Sequence, residues 1–254
     1  MKIITFTNQK GGTGKTTSAV SVSAGLARRG FMVLLLDLDP QGNSTTSAGK
    51  QPDEKDPTIY EVLKGTATAA EAIVTTDGGF DILPSDIRQA GTDLELAGKP
   101  GRDIILAEAL KKVRKNYDYC IIDSPPSLSV VTLMAFSASN YVVITLRPGY
   151  LDLDGVAQLK DTLKLVKQRT NKGLEVLGIV MTFYDDRKNL HKAIAAQAEE
   201  GFPGKLFNTR ISDAVALSEA PSKGIDIYRY SPRSKSARQY AELTNEIIER
   251  TKEK

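Results

Sequence analysis

Cysteine and histidine are almost missing from this sequence of 254 residues, which holds one of each, Cys120 and His191. A single cysteine makes no internal disulfide and supplies no multi-cysteine metal or iron–sulfur site; within the apolar run Tyr119 to Asp123, Cys120 is expected to pack as a small core residue. His191 has no second histidine with which to share a metal or a proton. Set in the mostly polar stretch Asn189-Leu190-His191-Lys192, it is expected to be a solvated helix residue. Long apolar runs are also missing. Val33 to Leu36 is closed at once by Asp37, far short of the roughly 18 consecutive apolar residues that a membrane-spanning helix needs. Met1 to Asn8 is too short to hold a signal peptide, so a soluble, cytoplasmic protein is expected. A net charge of +3 is too small to declare a nucleic-acid protein by itself, and the position of the charges has to decide. There is no internal repeat and no low-complexity tract.

What is present is a chain with 41% hydrophobic residues, enough for one substantial core and short for two, so residues 1–254 are expected to form a single domain. Apolar runs at Lys2 to Thr7, Met32 to Asp37, Phe80 to Leu83, Tyr119 to Asp123, Tyr141 to Leu146 and Leu174 to Met181 are short, rich in Ile and Val, and lack clean alternation. They read as strands buried on both faces. Helix-length segments lie between them, with apolar residues at helical spacing such as Ile105, Leu106, Leu110 and Val113, or Val156, Leu159, Leu163 and Val166. This alternation predicts an α/β fold, a mostly parallel central sheet flanked by helices on both faces, with ligands at the carboxyl ends of the strands. Gln41 to Asp56 and Ala90 to Arg102 read as surface connections, and Thr251 to Lys254 as a frayed tail.

The first strand runs into Asn8-Gln9-Lys10-Gly11-Gly12-Thr13-Gly14-Lys15-Thr16-Thr17 and then into a helix expected to end near Gly30. Strand, glycine loop and helix in that order are the context of a phosphate-binding P-loop. Gly11, Gly12 and Gly14 let backbone N–H groups, Thr13 among them, approach phosphate oxygens, and the helix dipole favours the anion. Lys15 is expected to reach the β and γ phosphates of ATP, and the Thr16 hydroxyl to bind Mg²⁺. The usual pattern has glycine where this chain has Gln9, and Lys10 opens the loop instead. A lysine there could add positive charge to a neighbouring subunit's nucleotide, as an arginine finger does in trans. Two strands end in carboxylates, in Asp37-Leu38-Asp39-Pro40-Gln41-Gly42-Asn43 and in Asp123-Ser124-Pro125-Pro126. Beside a P-loop, such aspartates are placed to orient water or to hold the Mg²⁺ hydration shell.

Together with Ile82 to Ser85, Ile122 to Leu128, the Gly178 to Asn189 region and Leu217-Ser218-Glu219-Ala220-Pro221-Ser222, these stretches resemble the ParA family of partition ATPases, close to its Soj-like branch and within the deviant Walker A class of P-loop NTPases. The resemblance spreads over nearly the whole chain. It implies a homodimer that sandwiches two ATP molecules, each Lys10 reaching the other subunit's phosphates. It also implies that Asp39 positions the hydrolytic water, Asp123 is the Walker B carboxylate, Thr17 touches the α-phosphate, and the adenine lies near Thr182 and the Asn208-Thr209-Arg210 turn. In such proteins the ATP dimer binds double-stranded DNA without sequence preference, on the nucleoid, and a ParB-like partner stimulates hydrolysis and release. The chain departs from the family at Ala216, where arginine is frequent, and at Met134, where asparagine is common.

Gly201 to Tyr240 carries seven basic residues against three acidic ones. Of these, Lys205, Lys223, Arg229, Arg233, Lys235 and Arg238 are the candidate DNA contacts, suited to a duplex backbone rather than to stacking on single strands. No appended helix-turn-helix is expected. Alternatives remain: a ParA-like ATPase that positions a protein cargo through another adaptor, a MinD-like membrane switch, or an ATP-dependent ligase acting on a metabolite. The stripe Tyr240, Leu243 and Ile247 of the last predicted helix, Ser236 to Lys254, reads as core rather than as a membrane anchor.

Overall fold

The computed structural model describes residues 1–149 and 152–252, with the side chains of 152–157 outside the description. The side chain of Val156, in the predicted helical stripe, and residues 253–254 of the predicted tail therefore lie outside the description. The strands are β1 (Lys2–Thr7), β2 (Val33–Asp37), β3 (Val74–Thr75), β4 (Asp81–Leu83), β5 (Tyr119–Asp123), β6 (Tyr141–Leu146), β7 (Glu175–Met181) and β8 (Leu206–Arg210). They form a sheet in the order β3-β4-β2-β5-β1-β6-β7-β8. Every neighbouring pair is parallel except β3 with β4.

Burial on both faces follows from the two-residue period of a strand. In β2, Val33 and Leu35 join a layer with Ile4, Phe6, Ile121 and Val143 that is covered by Leu26 of the helix Lys15–Ala27 and by Tyr240, Leu243 and Ile247 of the helix Lys235–Lys252. Leu34 and Leu36 point the other way, into a layer with Cys120 and Ile122 that is covered by Leu106, Leu110, Met134 and Ala135. A third cluster packs β6 and β7 against Leu159, Leu163 and Ile194. The sheet is thus covered on both faces, as the strand and helix alternation predicts. Cys120 is fully buried, and burial pushes its thiol up to about 12, which keeps it protonated and inert. Met134 is fully buried among apolar side chains.

Several boundaries depart from the sequence reading. The first helix ends at Ala27, ahead of the turn that contains Gly30. Gln41 to Asp56 opens with the helix Asn43–Ser47, and Ala90 to Arg102 contains the helix Thr92–Leu96, so neither is purely a connection. Thr251 is not frayed. It is buried in the last helix, its hydroxyl 3.1 Å from that of Tyr119. The edge strands β3 and β8 were not foreseen: β3 is two exposed residues, and β8 mixes buried Phe207 and Thr209 with exposed Asn208.

β1 lies between β5 and β6, so the chain leaves the sheet at its centre, where connections depart to both sides. This is the switch point at which open α/β sheets bind ligands. In register, Asp123 sits beside Phe6 of β1 and beside Asp37 of β2, which brings the loop after β1 and both strand-end carboxylates to one place.

Behind that place the backbone makes an unusually close contact. Gly49 and Gly224 both have left-handed φ, +74° and +64°, and a Cβ on Gly224 would stand 2.8 Å from the Cα of Gly49. This contact seats the turn after the helix Val215–Ser222 on the end of the helix Asn43–Ser47. Gly224→Ala is expected to lower the unfolding free energy by about 2–3 kcal/mol, from left-handed strain plus overpacking. Gly204 has the same sign of φ, +70°, but nothing within 4 Å, so Gly204→Ala should lose only about 1 kcal/mol. Urea unfolding compares the two, and equal losses would show that the contact carries no weight.

Candidate active site

The loop between β1 and the helix Lys15–Ala27 is tied down from three sides. Asn8 donates from Nδ2 to the Thr145 carbonyl at 2.6 Å and accepts the Lys10 amide on Oδ1 at 3.1 Å. The Thr13 and Thr145 hydroxyls lie 3.0 Å apart, and Thr182 donates from Oγ1 to the Thr13 carbonyl at 2.9 Å. Gly14 caps the helix with φ +78° and no side-chain cap, and a Cβ there would meet Thr182 Cγ2 at 3.4 Å. The amides of the first helical turn are therefore left to an anion, and the dipole favours one. Lys15 is buried and donates to the Lys10 carbonyl at 3.0 Å. Burial lowers its pKa, opposed by the negative charges of Asp123 and Asp39.

The three aspartates divide the work. Asp123 is fully buried; its Oδ2 accepts the Thr16 hydroxyl at 2.7 Å and the Ser44 hydroxyl at 2.8 Å, while its buried Oδ1 has no partner. Asp37 accepts the Asp39 amide at 3.1 Å and both the amide and the hydroxyl of Thr45 at 2.8 Å, so it braces the turn that presents Asp39. Asp39 lies at the rim of the buried region, with Oδ1 accepting the Gln41 amide at 3.0 Å. Burial pushes the Asp37 and Asp123 carboxyls upward, and the Asp123 charge adds to the rise at Asp37.

This donor set fits Mg²⁺. Among the described residues no group of three His, Cys, Asp or Glu side chains could hold a metal alone. A hard cation that keeps several waters and takes phosphate oxygens needs no such cage. The Thr16 hydroxyl beside Asp123, with the orphaned Oδ1 to receive a metal-bound water, supplies what the protein has to provide.

Beside the loop opens a cavity of about 1020 Å³, lined by Phe183, Asp185, Asn208, Thr209, Arg210 and Lys235 among others. Of the predicted adenine contacts, Asn208, Thr209 and Arg210 line it, whereas Thr182 is buried beneath the loop as a brace. The Glu246 carboxylate holds the amides of Asn208 and Thr209 at 2.9 and 2.7 Å. The Arg210 guanidinium lies 4.5 Å above the Tyr184 ring, and Nη1 donates to the Tyr184 hydroxyl at 2.7 Å. Thr17 borders a crevice with Ser47, Leu217 and Pro221, so the Leu217 to Ser222 motif packs against the flank of the P-loop helix. Ala216, half-buried, packs on the core.

His191 corrects the expectation of a solvated residue. It is buried, its Nδ1 accepts the Asp185 amide at 3.0 Å, and its ring lies 5.6 Å from that of Tyr184. The polar neighbours in the sequence belong to the solvent side of its helix, and one imidazole nitrogen is needed inside to hold the cavity-lining loop. Ser44, Thr45, Thr145 and Arg147 also escaped the sequence reading. Only Ser44 and Thr45, directly after Asn43, had a signal in their proximity to the aspartate motif.

Of the candidate DNA residues, Lys223, Arg233, Lys235 and Arg238 are exposed, while Arg229 is paired with buried Asp226 at 2.7 Å. Lys205 directly precedes β8, in a groove with Lys160, Lys164 and Lys167.

A family model described as an AAA domain matches residues 1–176. The sporulation initiation inhibitor protein Soj of Bacillus subtilis is 41% identical over 247 residues, covering 97% of this chain and 98% of its own. The chain belongs to the ParA and Soj family of partition ATPases. The chromosome partitioning protein ParA of Caulobacter vibrioides is 36% identical over 257 residues, covering 100% of this chain and 96% of its own. Among solved structures, a Mycobacterium smegmatis protein described as cobyrinic acid a,c-diamide synthase, with bound ATP analogue and magnesium, superposes with a TM-score of 0.88. It is 33% identical, covering 99% of this chain and 96% of that one. In this chain the glycine loop, the strand-end aspartates and the cavity lie together at the carboxyl end of the sheet.

His191→Ala would leave the Asp185 amide unpartnered and a void against Tyr184. A loss of about 2–3 kcal/mol in urea unfolding is expected, and a loss below about 0.5 kcal/mol would show that the imidazole does not hold this loop.

Proposed function

We propose that this chain is a Mg²⁺-dependent partition ATPase, hydrolysing ATP to ADP and phosphate, whose ATP-bound homodimer binds double-stranded DNA without sequence preference and is stimulated by a ParB-like adaptor. The observation that carries the reading is Asp123, buried at the end of β5 with Thr16 and Ser44 on one oxygen and no partner on the other. A buried carboxylate oxygen without a donor is costly unless a ligand completes it. Bound Mg²⁺ would neutralise the charge of the phosphates and orient them.

The roles of the chain's own residues follow from their placement. The amides from Gly11 to Thr17 cradle the phosphates, and Lys15, released from the Lys10 carbonyl, donates to the β and γ oxygens. Thr16 and Asp123 hold the metal, Asp123 through water. Asp39, fixed by Asp37 and Gln41, accepts a hydrogen bond from the attacking water and aligns it. Lys10 of a second copy would bring a positive charge to the γ-phosphate, which makes hydrolysis depend on dimerisation. Asn208, Thr209 and Arg210 would receive the adenine side of the nucleotide.

Support for DNA as the matrix is the exposed basic set Lys223, Arg233, Lys235 and Arg238, together with the partition names of the relatives. A protein cargo remains the second reading, because nothing in the ATPase core specifies what the adaptor carries. The name of the M. smegmatis relative raises amide synthesis on a metabolite, which metabolite-dependent ATP turnover would reveal. Against the membrane-switch reading stands the burial of Tyr240, Leu243 and Ile247 in the core.

Asp39→Ala is expected to bind ATP while its hydrolysis falls about 100-fold or more, and Lys15→Ala to lose productive nucleotide binding. Hydrolysis by Asp39→Ala at the wild-type rate would remove Asp39 from the mechanism. With the Asp39→Ala protein, equilibrium binding to random-sequence duplex should be tight with ATP and weak with ADP, falling with salt by about 0.9 log units per log unit for each phosphate contacted. Absence of binding in both states would reject the DNA matrix and favour a protein cargo.

A further inference from the structure

Between the phosphate loop and the base-side cavity stands a cation that the proposed mechanism does not use. Arg147 directly follows β6, its side chain is exposed, and it lines the cavity. Its guanidinium is centred 4.5 Å above the Phe183 ring, and its Nη1 is the atom nearest to where a Cβ on Gly12 would stand, at 3.9 Å. No carboxylate pairs with it among the described residues; Asp185, which lines the same cavity, is held by Arg187 at 3.0 Å.

The pedestal under this guanidinium is built rather than incidental. Among the described residues Phe183 is the one non-glycine with positive φ, +51°, a conformation that costs an aromatic residue about 1–2 kcal/mol. That backbone turns the Phe183 ring toward the loop, 3.7 Å from where a Cβ on Gly14 would stand, while the preceding Thr182 bonds the Thr13 carbonyl. The phosphate loop and the arginine's platform are therefore joined at two consecutive residues. A surface arginine stacked on a phenylalanine ordinarily lowers its own freedom and nothing more. Here the stack fixes a planar fork of donors at the rim of an anion cradle, and guanidinium geometry suits phosphate.

We propose that Arg147 is a nucleotide-binding residue that donates to the α-phosphate, where the phosphate chain leaves the loop for the base cavity. The assignment rests on the ATPase reading above. Lys15 and Thr16 serve the other end of the chain, next to Asp123. A contact to the α-phosphate is made equally to ATP and ADP, so it sets affinity and leaves the preference between them unchanged.

The test is equilibrium binding of ATP and ADP, with Mg²⁺, to the wild-type protein and to Arg147→Gln, Arg147→Lys, Phe183→Leu and Lys15→Ala. Arg147→Gln should weaken both nucleotides about 10- to 100-fold and by the same factor, the loss of one charge-assisted hydrogen bond. Arg147→Lys should recover part of this, because the charge remains without the fork. Phe183→Leu should lose about threefold to tenfold through a less ordered guanidinium. Circular dichroism should show both Arg147 variants folded, the arginine being exposed, and checks that Phe183→Leu and Lys15→Ala fold as well. Unchanged affinity in Arg147→Gln, or a loss confined to ATP, overturns the assignment. If Lys15→Ala loses binding while Arg147→Gln does not, the inference fails alone; if the wild type binds neither nucleotide, the ATPase reading fails and this assignment with it.

Discussion

Two carboxylates buried side by side, Asp37 and Asp123, govern how the centre of this molecule is built. They face each other across the β2 and β5 pairing, and both are fully removed from solvent. Like charges in a low dielectric repel strongly, and burial disfavours each of them even alone. The surroundings answer with donors. Asp37 receives three hydrogen bonds, Asp123 receives two, and Lys15 lies near enough to lower the pKa of Asp123. One oxygen of Asp123 is left over. The compensation is therefore incomplete in the protein alone, and a cation with its waters would complete it, which would link metal binding to relief of the same repulsion.

The donors come from different parts of the chain, and this joins the site to the rest of the fold. Thr16 belongs to the P-loop helix, whereas Ser44 and Thr45 belong to the short helix Asn43–Ser47. That helix holds Asp123 through one residue and Asp37 through the next. Its far end carries Gly49, locked against Gly224 by a contact that admits no Cβ, and Gly224 follows Lys223 and the helix Val215–Ser222. Ser44, on Asp123, and the exposed Lys223 are thus joined through two helices in direct contact. The Leu217 to Ser222 motif packs beside this contact, against Thr17 and Ser47.

Legibility in the sequence tracks the range of the forces involved. The P-loop, the strand-end aspartates and the buried strands were readable because their determinants are local: glycine spacing, a carboxylate closing an apolar run, and β-branched residues in sequence. The parallel sheet followed from alternation of strand and helix. What was lost depends on partners far away in the chain. Thr145 looks like an ordinary residue of an apolar strand, and Thr182, named only as an adenine neighbour, gives no sign of a bracing role, until the fold sets both under a loop more than a hundred positions earlier. His191 looked solvated because its neighbours in sequence are polar, yet its own face of the helix is turned inward to the Asp185 amide. Thr251 looked like a tail because it nears the chain's end, whereas Tyr119 reaches it from the sheet.

The basic residues show the same limit, with a consequence for any duplex this protein binds. Lys205 precedes β8, at the amino-terminal end of the strands, whereas Lys235 lines the cavity at the carboxyl-terminal end. A strand of the length of β7, seven residues, spans roughly 23 Å at about 3.3 Å per residue. Clustering in sequence therefore places these lysines at opposite ends of the molecule. Neutralising a duplex backbone needs charges that lie along one line within reach of successive phosphates. Arg233, Lys235 and Arg238 are all exposed and lie within six positions at the entry to the last helix, and Lys235 lines the base cavity. A duplex seated on that group would lie beside the cavity, at the end of the strands opposite to Lys205.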